Sequence, residues 1–313
     1  MPRIGVVGAT GAVGTVTLEL LAERGYEDVR AFASARSAGS RIAFGGQALA
    51  VEEATPEGLA GGDLDVCLFS VGTALSRELV PHAVRGGAIA VDKSSAYRLA
   101  DGVPLVVPEV NGARAVENDG IVANPNCCTI PLTCVLKPLH EAKGLRRVRV
   151  ATYQSMSGAG ASNMQRLAET QPHELDLLME WDFDGDEFDE ETKLRDETRK
   201  IMELPELPIS ANCVRVPVMV GHAETVWVET ESPLSADDAR DLLGAAAGVK
   251  LEDLPSPGKA KGIDVVLVGR IRRDPTEPNS LVLFLACDNL RKGAALNAIQ
   301  IAELLVGRQA LAA

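Results

Sequence analysis

Ile4-Gly5-Val6-Val7-Gly8-Ala9-Thr10-Gly11-Ala12-Val13-Gly14 decides the fold. A short apolar run enters glycines spaced G-x-x-G-x-x-G, and a helical pattern opens within a few residues. Glycine here permits a tight turn, so that backbone N–H groups at the positive end of a helix can approach a pyrophosphate. The spacing departs from G-x-G-x-x-G, and an ordinary Gly-rich strand-to-helix turn is the alternative for this stretch alone.

The same rhythm continues. Apolar runs at 3–8, 29–34, 65–71 and 88–91 alternate with helical stretches, which is the pattern of a parallel sheet. Shorter strands fit 103–107 and 121–123. NAD-preferring folds place Asp or Glu at the end of the second strand to bond the ribose 2′-hydroxyl. Here that strand runs through Ser34 into Ala35, Arg36 and Ser37. A guanidinium and a hydroxyl suit a 2′-phosphate that a carboxylate would repel, so NADP is the expected cofactor.

Composition fits the motif. The 313 residues suffice for two domains, and 46% apolar with only 4% aromatic content predicts tight aliphatic cores, as in α/β folds. A net charge of −13 without a basic stripe argues against nucleic acid and acidic membrane surfaces as partners. No apolar run reaches the length of a membrane span and no signal-peptide pattern opens the chain, so a cytoplasmic protein is expected. The six cysteines form no C-x-x-C pair and no Cys/His ligand spacing, which predicts reduced thiols and no metal.

After a helix expected over 127–143 the pattern changes. Longer strand-like runs at 146–154, 213–220, 223–230, 263–271 and 281–287 predict a second, α+β domain with a mainly antiparallel sheet. Residues 291–306 read as one amphipathic helix that packs back on the first domain. The acidic stretch 180–197 resembles a calcium loop, but the sixth loop position counted from Asp182 is Glu187 rather than Gly. A solvated acidic loop is the expectation there.

Asn124-Pro125-Asn126-Cys127-Cys128-Thr129 joins the 121–123 strand to that helix. A thiol at a helix N-terminus is biased toward thiolate and makes a nucleophile. Cys128 is the rival, rotated by about 100° around a helix, and two buried packing thiols are the bland reading. Of the four histidines, His82, His140, His173 and His222, the last is the best base, because the Gly turn in VRVPVMVGHAE could aim it into a cleft.

The sequence resembles the aspartate-semialdehyde dehydrogenase family nearly from end to end. The matching stretches are GATGAVG (8–14), SARSAG (34–39), DKSSAYR (92–98), VVPEVN (106–111), NPNCCTI (124–130), TYQSMSGAG (152–160), ETRKI (197–201), CVRVPVMVGH (213–222) and DNLRKGAALNAIQIAE (288–303). Cys128 stands where the family commonly has Ser, and 173–196 departs from its usual sequence. The resemblance implies a Rossmann-type NADP-binding domain over 1–127, completed by a C-terminal helix over 290–313. It also implies a catalytic and dimerisation domain over 128–289, and a homodimer or homotetramer.

It implies as well that NADPH reduces L-aspartyl 4-phosphate to L-aspartate 4-semialdehyde and phosphate, in biosynthesis of lysine, threonine, methionine and isoleucine. Cys127 would be the thioester-forming nucleophile, His222 the acid/base and Gln154 the group orienting the intermediate. Arg98 and Lys200 would bind phosphate, Arg215 the substrate carboxylate and Glu197 its amino group, with Asn126 also at the substrate. Gly8, Thr10, Gly11, Ala12, Val13, Ser34, Arg36, Ser37, Ser157, Gly158 and Asn289 would contact NADP. The alternatives are N-acetyl-glutamyl-phosphate reductase, whose blocked substrate needs no anion such as Glu197, and a non-catalytic NADP-binding paralogue.

Overall fold

The computed structural model describes residues 1–307. Its chain forms two compact units, one from Met1–Pro125 with residues 294–307, the other from Asn126–Gly293. Residues 308–313, at the end of the expected last helix, lie outside the described residues.

In the first unit the strands are β1 (Ile4–Val7), β2 (Val29–Ala33), β3 (Arg41–Phe44), β4 (Gln47–Glu53), β5 (Val66–Phe69), β6 (Ile89–Asp92) and β7 (Ile121–Ala123), in the order β3-β4-β2-β1-β5-β6-β7. All neighbours are parallel except β3 and β4. Every residue of β1 and β5 is buried, as expected of strands covered on both faces. Because β2 and β5 flank β1 on opposite sides, the strand order reverses there, and such reversals leave a ligand crevice at the carboxyl ends.

The turn after β1 needs its glycines. Gly8 has φ +86°, and a Cβ there would lie 2.4 Å from the Ser70 carbonyl oxygen; at Gly14 a Cβ would lie 2.1 Å from the Gly8 carbonyl oxygen. Helix α1 (Ala12–Glu23) can therefore start directly against the strand, burying Leu18, Leu20 and Leu21. Helices α2 (Pro56–Leu59), α3 (Thr73–Arg85) and α4 (Pro108–Asn111) connect later strands.

Two expectations shift here. The run 103–107 makes only one isolated bridge, Leu105 with Ala123, since Pro104 has no N–H and Pro108 starts α4. The tail is not one regular helix. A π-helical turn over Arg291–Ala295 precedes the terminal α-helix Leu296–Leu305, whose Leu296, Ala298, Ile299, Ile301 and Ala302 join the core beside Ile4, Val6 and Ala31. Arg24 Nε and Nη2 each reach Glu303 at 2.9 Å, and Asn297 Nδ2 donates to Val106 O and Asn124 Oδ1.

The second unit holds α5 (Thr129–Lys143), β8 (Leu145–Gln154), α6 (Ala161–Glu169), β9 (Phe183–Asp184), β10 (Glu187–Phe188), α7 (Asp189–Met202), β11 (Ile209–Arg215), β12 (His222–Thr230), α8 (Ala236–Gly244), β13 (Val249–Leu251), α9 (Pro257–Ala260), β14 (Val266–Arg273) and β15 (Ser280–Cys287). The last helix among the described residues, Leu296–Leu305, is α10. The main sheet runs β11-β8-β12-β15-β14-β13, antiparallel through its middle and parallel at its two edge pairs. The expected mainly antiparallel sheet is present, but its first edge strand is Ile209–Arg215 rather than 213–220, because Pro217 cannot continue a ladder. Among the described residues no helix is long and apolar enough to cross a membrane.

The acidic stretch is not a solvated loop. Its middle forms the hairpin β9–β10 and its end the helix α7, which buries Glu190, Glu191 and Glu197. Three acids in the first turn of α7 face its positive pole, which favours them there.

Candidate active site

The second unit gathers the candidate residues around one turn. Asn126 is held by α7: its N–H donates to Glu197 Oε2 at 2.7 Å, and its side-chain Nδ2 to Glu190 Oε1 at 2.9 Å. Asn126 Oδ1 accepts from Cys128 N at 2.8 Å. The helix α5 begins at Thr129 with Cys128 as its cap, so Cys127 lies just ahead of the helix and not within it as expected. Its Sγ is 3.2 Å from His222 Nε2.

Of the six cysteines, Cys127 alone is half-buried; Cys67, Cys128, Cys134, Cys213 and Cys287 are buried. Burial pushes the Cys67 thiol up to about 12. The Cys128 and Cys287 thiols also stand well above the usual thiol range, first because of burial and then through neighbours that include Cys127 and Glu224. These buried thiols are held protonated.

His222 opens β12 rather than occupying the turn before it, and it is fully buried. The other histidines lie elsewhere in the chain: His82 on α3, His140 on α5 and His173 in a short exposed turn. Gln154 ends β8, Arg215 ends the adjacent β11, and these two residues pair in register. Gln154 Nε2 donates to Glu190 Oε1 at 3.1 Å. Arg215 Nη1 donates to Ser155 O at 2.8 Å, and its guanidinium lies over Trp181, 4.9 Å from the ring centroid. Lys200 sits on α7 one turn beyond Glu197. Ser157 and Gly158 occupy a 3₁₀ turn after β8, where Ser157 Oγ meets Asn289. The only cluster of three metal-ligating groups found among the described residues is Cys127, Cys128 and His222; the thiol–imidazole contact accounts for that grouping.

Two acids here escaped the sequence reading. Glu190 accepts from both the Asn126 and Gln154 amides and so sets which way each carbonyl points. The only signal was its three- and seven-residue spacing to Lys193 and Glu197 within an acidic run. Glu224 lies two residues beyond His222 on the same face of β12, sealed from solvent, with neither carboxyl oxygen in hydrogen-bond geometry with a partner. Burial, then the charge on Cys127, pushes its carboxyl well above the usual range, and the Cys128 thiol offsets this only in part.

A carboxyl raised on folding keeps its proton longer in the native state. Its stability contribution is intact below the ordinary carboxylate range and is lost as pH rises from there toward the folded value. Glu224→Gln removes that loss. Its stability relative to the parent is expected to improve by about 1.4 kcal/mol per pH unit across this window. Denaturant midpoints of both proteins near pH 5 and pH 8 measure it, and an equal gap at both would refute a neutral Glu224.

The first unit carries the remaining candidates. Gly8, Thr10 and Gly11 form the turn into α1, with Ala12 and Val13 as its first helical residues. Thr10 Oγ1 lies 3.5 Å from Ser37 Oγ, so this turn and the end of β2 meet. Ser34 and Arg36 are exposed beside them. Open N–H groups at α1, glycines that let a ligand approach and an exposed guanidinium beside two hydroxyls fit a phosphorylated dinucleotide. Arg98, nearly buried, donates from Nε to Asn124 O at 3.1 Å and from Nη2 to Lys93 O.

Known proteins resemble this chain in sequence and fold. The NAD binding domain of semialdehyde dehydrogenases matches residues 3–118, and their dimerisation domain matches 136–292. The chain is 46% identical to the aspartate-semialdehyde dehydrogenase of Corynebacterium glutamicum, across 98% of this chain and 100% of that one. It is 41% identical to that of Bacillus subtilis, across 97% of each. Aspartate semialdehyde dehydrogenase II of Vibrio cholerae, solved in complex with ASA, superposes with a TM-score of 0.93 at 38% identity, over 98% of both chains. The Candida albicans enzyme, solved with NADP, gives 0.79 at 27% identity over 98% of both. By sequence along nearly its whole length and by the fold of both units, the chain belongs to the aspartate-semialdehyde dehydrogenase family.

Proposed function

We propose that the chain converts L-aspartyl 4-phosphate to L-aspartate 4-semialdehyde and phosphate through a thioester on Cys127, on the biosynthetic route to lysine, threonine, methionine and isoleucine. The observation that carries this reading is the 3.2 Å contact between Cys127 Sγ and His222 Nε2. A half-buried thiol beside an imidazole is the arrangement of an activated sulfur nucleophile. The sulfur attacks the acyl carbon and phosphate departs, its charge offset by Arg98 and Lys200. Arg215 grips the substrate carboxylate as a planar fork, and Glu197 meets the free ammonium. Gln154 orients the acyl group, Asn126 lines its site, and His222 hydrogen-bonds the sulfur and is the acid/base of the reacting centre as the thioester forms and breaks down.

NADPH supplies the hydride. Gly8, Thr10, Gly11, Ala12, Val13, Ser34, Arg36 and Ser37 would hold its phosphates and ribose, with Ser157, Gly158 and Asn289 as further contacts. Arg36 and Ser37 favour NADP over NAD. Arg36→Ala is therefore expected to raise KM for NADPH about tenfold, the worth of one exposed charge-assisted bond, and to leave KM for NADH unchanged in steady-state assays.

A homodimer fits the second unit. One face of its sheet is left half-exposed, with Arg149, Tyr153, Thr225, Trp227 and Phe284 along it, and Leu175, Leu177, Met179 and Phe183 are exposed on the segment leading into α7. Aromatic side chains left half-exposed on a sheet face are commonly covered by a partner.

The test is an assay of the purified chain with aspartate semialdehyde, phosphate and NADP. Iodoacetamide-sensitive formation of NADPH is expected. Preference for an N-acetylated glutamate semialdehyde would move the assignment to the related reductase, and NADPH binding without turnover would move it to a non-catalytic paralogue.

A further inference from the structure

We propose that the main-chain N–H of Ser155 fixes His222 in the tautomer whose proton sits on Nε2, so that the ring meets Cys127 as a hydrogen-bond donor and not as the base that removes its proton. The proposal rests on the reading of Cys127 and His222 as the working pair. It specifies which way hydrogen is shared between them.

Ser155 N lies 2.9 Å from His222 Nδ1 and donates to it. A main-chain amide cannot accept, so Nδ1 must present a lone pair. A neutral imidazole with one bare nitrogen carries its hydrogen on the other. That other nitrogen is Nε2, the one facing Cys127 Sγ.

The Ser155 hydroxyl is also 3.1 Å from Nδ1, but it has a better acceptor. Asn289 Oδ1 lies 3.0 Å from Ser155 Oγ and accepts the Gly221 N–H at 2.8 Å. The Gly221 donor fixes the oxygen end of the Asn289 amide on this side, and its Nδ2 donates to Ser157 Oγ at 3.0 Å. The Ser155 hydroxyl hydrogen goes to Asn289, and the amide hydrogen is left for Nδ1. The ring is also packed edge-on: a Cβ at Gly158 would lie 3.0 Å from both His222 Cε1 and Nε2. Turning the ring over would strand the buried Ser155 N–H, at a cost of about 1–3 kcal/mol.

The consequence for the reaction concerns the sulfur. Its proton is lost to water before acylation, and the thiolate is stabilised by the Nε2–H. In acylation the C–S bond forms, the bond from carbon to the phosphate oxygen breaks, and its electron pair leaves on phosphate. No proton passes from sulfur to His222. Hydride addition leaves an oxyanion on the former carbonyl carbon; when this hemithioacetal oxyanion opens, the C=O bond re-forms, the C–S bond breaks with its electron pair on sulfur, and the same N–H hydrogen-bonds the thiolate. Ser155 is thus a positioning residue, acting through His222.

The test uses the full chain with ring ¹⁵N-labelled histidine, the His222 signals being assigned by their loss in His222→Asn. One-bond ¹⁵N–¹H coupling near pH 8, above the ordinary imidazole range of about 6.5, is expected at Nε2 and absent at Nδ1. Ser155→Ala keeps the main-chain N–H and is expected to give the same pattern. A proton on Nδ1 in the parent overturns the proposal, and its appearance there in Ser155→Ala would transfer the lock to the hydroxyl and overturn the assignment to the amide. The coupling reads the ring whether or not the enzyme turns over, so failure of the tautomer and failure of the proposed reaction are separately visible.

Discussion

Cys127→Ser is expected to lose turnover by roughly 10⁴-fold or more while NADPH binding is retained. A hydroxyl ionises far less readily than a thiol, and the neighbouring imidazole nitrogen, 3.2 Å from the sulfur, cannot make up that difference. The adjacent thiol offers no rescue, because Cys128 is buried and held protonated. The turn expected to hold the dinucleotide is built from residues 8–13 and 34–37, which the substitution leaves untouched. Steady-state rates beside a fluorescence titration with NADPH separate the two effects. Full activity in this variant would reject a thioester at residue 127.

Arg215→Leu is the second large change. The guanidinium is nearly buried, donates to Ser155 O and lies on the Trp181 ring, so its fork is held in one orientation before any ligand arrives. Two charge-assisted bonds to a substrate carboxylate contribute about 3–4 kcal/mol together. The loss corresponds to roughly 10²- to 10³-fold in kcat/KM, most of it in KM. Arg215→Lys should recover only a small part, since an ammonium cannot form the planar pair. An unchanged KM for aspartate semialdehyde in Arg215→Leu would place the carboxylate elsewhere.

The strand-to-helix turn at 4–14 and the buried parallel strands were legible because buried strands read as unbroken apolar runs and glycines mark a turn that tolerates no Cβ. The hairpin β3–β4 went unread although Gly45 and Gly46 both take positive φ at its turn, because its strands are short and mostly exposed. Cys127 was legible from its place between a strand and a helix. The start of that helix was not, since Cys127 and Cys128 form a turn whose shape is set by Asn126 and Glu197, 71 residues apart. Glu190 and Glu224 were misjudged or unseen for a related reason. A carboxyl is read by default as solvated, and only tertiary structure shows that one orders two amides and that burial holds the other well above the usual carboxylate range.

The terminal helix has a consequence for how the chain is made. Its apolar side fills the core of a unit whose other residues are synthesised well before it. During translation that earlier portion must wait, with Val6, Leu18 and Ala31 inadequately covered, until Leu296–Leu305 has been made. A ribosome that stops near residue 290 would release a molecule whose later-made unit is whole and whose earlier-made unit has an open seam.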